Sequence, residues 1–93
     1  MSAIYHFEAA PAFWKSYRKL TLMEQEAARR AWQIFKQDPF DPRLGAHKIH
    51  SLSARAKETV YSAVVASDLR VVFVVRSNTV YTLDIGSHAL YRT

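Results

Sequence analysis

Two side chains near the end of the sequence, Arg70 and His88, are of the types that proton chemistry on a phosphate requires. A guanidinium donates paired hydrogen bonds to a phosphate and keeps its charge at any physiological pH. A histidine, with an ordinary pKa of about 6.5, gives or takes a proton near neutrality. Tyr91 follows His88 by three positions. The alternatives are a structural ion pair of Arg70 with Asp68 or Asp84, and an inert surface histidine.

A second group of polar and basic side chains lies upstream, between residues 47 and 57. His47 and His50 belong to a segment that favours a short strand beside the last strands of the chain. On a strand their spacing sends the two rings to opposite faces, so it does not predict a metal site, and we expect no cofactor. The basic side chains near them suit a nucleic-acid backbone, and a solvated basic surface is the alternative.

The composition bounds the class of protein and excludes several kinds of chemistry. The chain has 93 residues, 49% of them hydrophobic, and a formal net charge of +5, which predicts one domain over residues 1–93 and a polyanionic or acidic partner. Without cysteine it has no thiolate site, and with two glycines it has no Gly-rich phosphate loop. No export signal and no run of about 20 apolar residues is present. We therefore expect a soluble cytoplasmic protein that does not use a membrane.

Two helices are predicted in the first half of the chain. Residues 3–7 favour a short strand, and Pro11 is typical of the first turn of a helix. Apolar residues then recur at helical spacing. Thr21 and Glu24 have the pattern of a capping box, which starts a second helix, and this helix ends by Asp38 because a proline follows it.

The second half of the chain favours strands. Residues 51–57 are predicted to form a polar, basic connection, and strands follow at residues 59–66, 69–76 and 79–85, with two-residue turns between them. In the middle strand Arg70 lies on the less apolar face. The order predicts an α+β fold with an N-terminal strand, an antiparallel helix hairpin and an antiparallel β-meander, in which the helices pack on one face of the sheet.

The sequence resembles the RelE/ParE superfamily of bacterial toxins of type II toxin–antitoxin systems, most closely the RelE/StbE group with its YafQ-like mRNA interferases. The resemblance covers nearly the whole chain and rests on the order and spacing of four segments. These are Phe35 with Asp38-Pro39-Phe40-Asp41-Pro42-Arg43-Leu44, then His47-Lys48-Ile49, then Ser67-Asp68-Leu69-Arg70-Val71-Val72-Phe73, and finally Ile85-Gly86-Ser87-His88 before Tyr91. It implies the RelE-like fold.

The resemblance implies a ribosome-dependent mRNA endoribonuclease that inhibits translation. Such a toxin acts on mRNA in the ribosomal A site, beside 16S rRNA, and is neutralised by a cognate antitoxin in a hetero-oligomer. In this interpretation His47 or His50 is the base, Arg70 stabilises the phosphate, His88 is the acid, and Tyr91 orients or stacks on the RNA. Lys48, His50 and Asp68 are supporting candidates for this site. The residues predicted to bind RNA are Lys48, His50, Arg55, Lys57 and Arg76.

Two alternatives remain within the same superfamily. One is a ParE-like inhibitor that binds DNA gyrase and cleaves no RNA, and the other is a degenerate toxin that acts only as an antitoxin-binding module. His47, His88 and Tyr91 favour the endoribonuclease, because a protein that only binds gyrase needs neither an acid nor a base.

Overall fold

The computed structural model of the protein describes residues 5–91, and the side chains of His88 and Tyr91 lie outside that description. Two 3₁₀ turns, Pro42–Leu44 and His88–Tyr91, accompany the regular elements. In chain order the regular elements are β1 (His6–Ala9), α1 (Pro11–Tyr17), α2 (Leu22–Phe35), β2 (His47–Lys48), α3 (His50–Ala56), β3 (Tyr61–Ala66), β4 (Leu69–Arg76) and β5 (Thr79–Ser87).

The five strands form one mixed sheet in the order β1-β5-β4-β3-β2. The meander from β3 to β5 is antiparallel, as predicted, and its two-residue turns lie at the expected places. β1 pairs in parallel with β5, from His6 opposite Thr79 to Ala9 opposite Thr82. The first strand was predicted at residues 3–7, of which 1–4 lie outside the described part, and the observed strand runs on to Ala9. The predicted α+β fold is confirmed.

One face of the sheet packs against α1 and α2. The predicted capping box starts α2, with Glu24 N donating to Thr21 Oγ1 at 3.1 Å and Thr21 N donating to Glu24 Oε1 at 2.9 Å. α1 lies over β5 and α2 over β3. The apolar cluster beneath them centres on six buried residues: Phe35, Leu44, Ala63, Val71, Phe73 and Val80. No helix within residues 5–91 is both long and apolar enough to cross a membrane.

The other face of the sheet carries α3, which the sequence interpretation missed. Residues 51–57 were predicted to be a connection, and the segment ending at His50 was predicted to be a strand; the helix begins at His50 instead. Ser53 holds it in place, since its hydroxyl donates to the carbonyl of Ile49 at 2.7 Å and accepts from the amide of Val60 at 2.9 Å. Leu52 of α3 packs on a second apolar cluster, whose buried members are Val60, Val72 and Val74. We call this side of the sheet the α3 face.

Candidate functional site

The register of the sheet brings His47 and Arg70 to the α3 face. His47 is paired with Ser62 of β3, Ser62 with Val72 of β4, and Val72 with Asp84 of β5. Directly opposite residues of antiparallel strands share a face, and Arg70 shares it with Val72 because side chains alternate along a strand. A row of side chains therefore crosses the α3 face from His47 to Asp84. Arg70 lies in the neighbouring row, two residues before Val72 on β4.

Arg70 is held by the turn that precedes its strand. Its Nη1 donates to the carbonyl of Ser67 at 2.6 Å and lies 3.4 Å from the carbonyl of Leu69. The side chain is half-buried, and its neighbours across the strands are Val64 and Gly86. Both contacts are with neutral carbonyl groups, which orient the planar guanidinium and leave its charge in place, as suits a group that binds a phosphate.

Two other arginines form ion pairs. Arg43 Nη2 lies 2.9 Å from Asp41 Oδ2, and hydrogen bonds from Arg43 lower the pKa of Asp41 to about 2. Arg76 Nη2 lies 2.6 Å from Glu58 Oε2, and its hydrogen bond lowers the pKa of Glu58. The Arg76 guanidinium also lies over the Tyr81 ring, 5.0 Å from its centroid. Any phosphate that binds Arg76, a predicted RNA-binding residue, must compete with Glu58.

The other predicted RNA-binding residues are divided between two places. Lys48 lies on the opposite face from His47, because neighbouring residues of a strand alternate. His50 is the first residue of α3, Arg55 lies in its last turn, and Lys57 follows the helix in a left-handed conformation. All four side chains are exposed. The basic residues near α3 therefore belong to the α3 face, whereas Lys48 does not.

The ring of His47 is oriented by the backbone that precedes it. Its Nδ1 lies 3.1 Å from the carbonyl oxygen of Gly45, and the side chain is otherwise exposed. Gly45 has φ 57° and ψ 38°, the left-handed conformation that ends the 3₁₀ turn Pro42–Leu44. An imidazole fixed in this way at the edge of a sheet is well placed to accept a proton from a ligand on the α3 face.

The side chains of His88 and Tyr91, both predicted to be catalytic, lie outside the described residues. Their backbone belongs to the 3₁₀ turn that follows β5. Leu90 of this turn packs on the apolar cluster of the α3 face, and its Cδ2 would be 3.2 Å from a Cβ added to Gly86. Because Gly86 is paired with Arg70, the turn starts two residues beyond the row of Arg70.

Sequence reasoning did not single out Ser62, which lies beneath the candidate site. Ser62 is fully buried, and within the described part of the chain its hydroxyl has no hydrogen-bond partner. It lies directly opposite His47. The alternation of Tyr61, Ser62 and Ala63 in a predicted strand already indicated that the serine faces away from its two apolar neighbours, but only the register shows that it lies beside His47.

Tyr61 and Tyr81, two aromatic side chains of the sheet, are used within the fold. The Tyr61 ring stacks on Phe73 with centroids 5.4 Å apart, and Phe40 packs against it edge-on at 4.9 Å. Tyr81 lies under the Arg76 guanidinium. Both rings therefore line the sheet.

The arrangement of the α3 face supports proton transfer next to a phosphate. It offers an exposed imidazole at one edge of the sheet and an oriented guanidinium at the turn end of the central strand, β4. These are a candidate base and a candidate electrostatic stabiliser for a reaction that develops negative charge on phosphate oxygens. Among the described side chains, no group of three or more His, Cys, Asp or Glu could hold a metal ion.

The fold is that of RelE-like toxins. The RelE of Pyrococcus horikoshii OT3, solved as a RelE–RelB complex, matches with a TM-score of 0.69 at 15% identity, over 90% of this chain and 94% of that chain. The YoeB dimer of Staphylococcus aureus gives 0.67 at 14% identity, over 92% and 99%. The E. coli DinJ–YafQ complex gives 0.65 at 15% identity, over 96% and 99%. No family model and no curated protein sequence matches the chain. The predicted RelE/YafQ-like fold is thus confirmed by structure.

Proposed function

We propose that this protein is the toxin of a type II toxin–antitoxin system and cleaves mRNA as a ribosome-dependent endoribonuclease. The observation that supports this most strongly is the α3 face, where the sheet register sets the exposed His47 imidazole on the same side as the turn-held Arg70 guanidinium. The RelE and YafQ toxins have the same fold. In this proposal the toxin acts in the cytoplasm, on mRNA in the ribosomal A site and beside 16S rRNA.

The proposed reaction is attack of a ribose 2′-hydroxyl on the adjacent phosphate. His47 takes the 2′ proton, the O2′–P bond forms, and the P–O5′ bond breaks, which leaves a 2′,3′-cyclic phosphate. Arg70 donates hydrogen bonds to the phosphorane oxygens as their negative charge develops. His88 gives a proton to the departing 5′-oxygen, and Tyr91 orients the substrate. His47 is preferred to His50 as the base because its ring is held by a backbone contact.

Cations along the α3 face would hold the rest of the RNA strand. Arg70 and Arg76 are six residues apart on β4, a distance of about 20 Å in an extended strand. Arg55 and Lys57 lie near the Arg76 end, since Lys57 is next to the residue that pairs with Arg76. A strand of RNA along this face would therefore meet positive charge at both ends.

The test is primer extension on an mRNA under translation, with purified toxin. The wild-type chain is expected to cut the message on ribosomes, and His47→Ala is expected to reduce cutting by at least about 100-fold, the usual contribution of general base catalysis. Lys36→Gln is the control, because it removes an exposed charge at the end of α2, on the other side of the sheet. Intact message at full ribosome occupancy by the wild-type protein would refute the proposal. If cells were nevertheless arrested, a gyrase supercoiling assay would test the ParE-like alternative.

The partner proposed for the toxin is an antitoxin that docks between α1 and α2. A half-open cavity of about 400 Å³ lies between these helices and the sheet, and its lining includes Trp14 and Trp32. Their exposed fractions are 48% and 40%, high for tryptophan. Residues 11–37 carry six Lys or Arg against two Glu. An amphipathic helix with an apolar stripe and acidic flanks complements such a groove.

Binding of the protein encoded by the neighbouring gene tests this surface. Trp14→Ser and Trp32→Ser are each expected to weaken the complex by at least about 10-fold, because buried aromatic anchors carry much of the energy of an interface. Leu22→Ser is the matched control, since Leu22 is 77% exposed at the start of α2 and does not line the cavity. If titration calorimetry gave all three variants the same affinity for the antitoxin, the antitoxin would not bind in the cavity between α1 and α2.

A further inference from the structure

We infer that Gly45 is a positioning residue for the proposed base: its carbonyl oxygen holds a proton on Nδ1 of His47 and leaves the lone pair on Nε2. The inference rests on the proposed function, in which His47 accepts the proton of the 2′-hydroxyl. It assigns the accepting atom, and it gives the left-handed glycine before β2 a part in the reaction.

The chemistry of the contact fixes which nitrogen carries the proton. A neutral imidazole has one N–H and one lone pair, and a carbonyl oxygen only accepts hydrogen bonds. The separation of 3.1 Å between Nδ1 and the Gly45 oxygen lies in the range of an N–H···O hydrogen bond. Nδ1 must therefore be the protonated nitrogen. Nε2 then has the free lone pair, and it points away from the backbone that holds the ring.

A short turn sets the position of the Gly45 carbonyl. The Asp41 carboxylate accepts from the amide of Arg43 at 2.9 Å and so starts the 3₁₀ turn, and Leu44, with 3% of its surface exposed, anchors it in the core. Gly45 N donates to the carbonyl of Pro42 at 3.2 Å and closes the turn. The left-handed conformation that follows turns the Gly45 carbonyl towards the ring of His47.

Glycine is required at this position for its backbone conformation and not for space. A Cβ on Gly45 would meet Val64 Cγ2 at 3.8 Å, an ordinary van der Waals distance. The φ of 57° is nevertheless costly for alanine and is tolerated by asparagine. Gly45→Ala should therefore shift the carbonyl without a clash, whereas Gly45→Asn should leave it in place.

The direct test is the tautomer of His47, read from long-range ¹H–¹⁵N correlations of the ¹⁵N-labelled protein at about pH 8, above the ordinary pKa of an imidazole. The expected result is a proton on Nδ1, the reverse of the preference of free histidine in water. A proton on Nε2 in the wild-type protein would overturn the inference, whatever the protein does to RNA. A proton on Nδ1 together with full cleavage by His47→Ala would leave the tautomer assignment standing and refute the role of His47 as base.

Cleavage kinetics give a second readout. Gly45→Ala is expected to lower kcat by about 5–10-fold, the equivalent of one hydrogen bond of about 1 kcal/mol, with KM unchanged because the contact does not touch the substrate. Gly45→Asn is expected to stay within about 2-fold of the wild type. Ser77→Val is the control for strain, since Ser77 also has a positive φ, of 54°, but lies in the turn at the far end of β4. Equal kcat for Gly45→Ala and Gly45→Asn, both folded by circular dichroism, would contradict the inference.

Discussion

Arg70 is oriented by the tight turn that precedes its strand. Its Nη1 contacts are with the carbonyls of Ser67 and Leu69, and Ser67 has a positive φ of 43°, which belongs to the tight turn between β3 and β4. A backbone carbonyl fixes a guanidinium without neutralising it. The ion pairs of Arg43 and Arg76 provide the contrast, because each of those cations already has a carboxylate.

Arg70→Lys is therefore expected to impair cleavage although the charge is kept. An ammonium cannot donate to the turn and present a planar fork to a phosphate at the same time. We expect a loss of about 10-fold in single-turnover cleavage, and about 100-fold or more for Arg70→Ala, the scale found when a donor to a developing oxyanion is removed. Arg30→Lys, an exposed exchange on α2, is the control. Equal rates for Arg70→Lys and the wild type would argue against a role for the guanidinium.

Two buried serines make a second prediction at the residue scale. Ser53 accepts the amide of Val60 and donates to Ile49, whereas the Ser62 hydroxyl lacks a partner among the described residues. Ser53→Ala leaves the buried amide of Val60 without its acceptor and should lower the unfolding free energy by about 1–3 kcal/mol. Ser62→Ala should cost less than about 0.5 kcal/mol. Urea denaturation compares them, with the exposed Ser51→Ala as reference. A larger loss for Ser62→Ala would contradict this account.

Among the elements, local patterns predicted the meander and missed α3. β4 was predicted with its exact bounds, because a run of β-branched and aromatic residues between two short turns leaves little choice. The apolar residues at the start of α3, its N-cap Ile49 and Leu52, make a stripe too short to stand out. The hydrogen bond that fixes the helix joins Ser53 to Val60, seven residues away. The parallel pairing of β1 with β5 joins the two ends of the sequence. Such distant pairing leaves no signal in a local window.

The candidate site, like the elements of the fold, could be predicted only in part from the sequence. The alternation of side chains along a strand was enough to predict which face of the sheet carries Arg70. The position of His47 opposite Ser62, and its contact with the Gly45 carbonyl, depend on a two-residue strand and a 3₁₀ turn whose geometry the sequence does not display. Residue types could therefore suggest a base and a cation, but only the register shows that they share the α3 face.

The last 3₁₀ turn gives a prediction at the scale of elements. Leu90 of the turn and Leu83 of β5 are both half-buried against the same apolar cluster of the α3 face. Leu90→Ala and Leu83→Ala should each lower the unfolding free energy by about 1–2 kcal/mol, less than for a fully buried leucine. Only Leu90→Ala frees the turn that contains His88, so only this variant should lose cleavage, by about 10-fold or more. Equal losses of cleavage would show that the turn has no separate part in positioning His88.

Over the whole molecule, positive charge is concentrated in two regions. The helix hairpin of residues 11–37 has six basic and two acidic residues, and the segment from residue 43 onward has seven and three. Ion pairs offset Arg43 and Arg76 in the second region. The first region of excess positive charge lies beside the apolar cavity between α1 and α2, and the second contains the α3 face. Under the proposed function, one of these surfaces attracts RNA and the other an acidic antitoxin.

The two ion pairs also predict how the stability of the whole fold depends on pH. In the folded chain the pKa of Asp41 is about 2, against an ordinary value of 3.8, because Arg43 donates hydrogen bonds to the carboxylate; the pKa of Glu58 is lowered in the same way by Arg76. A lowered folded-state pKa means that the unfolded chain binds more protons between the two values. The contribution of Asp41 is therefore present above its ordinary pKa of 3.8 and is lost as the pH falls towards about 2. The contribution of Glu58 is likewise lost as the pH falls below its ordinary pKa of 4.5.

Thermal unfolding between about pH 6 and about pH 2 tests this at low and high salt. The wild-type Tm should fall over the acidic part of the range, and Asp41→Asn and Glu58→Gln should each fall less steeply there, because each lacks one of the carboxylates that must be protonated. Glu26→Gln removes an exposed carboxylate from α2 and should keep the wild-type slope. High salt should shrink the differences, since both pairs lie at the surface. If Tm fell equally steeply with pH for the wild type and all three variants at low salt, other groups would govern unfolding in acid.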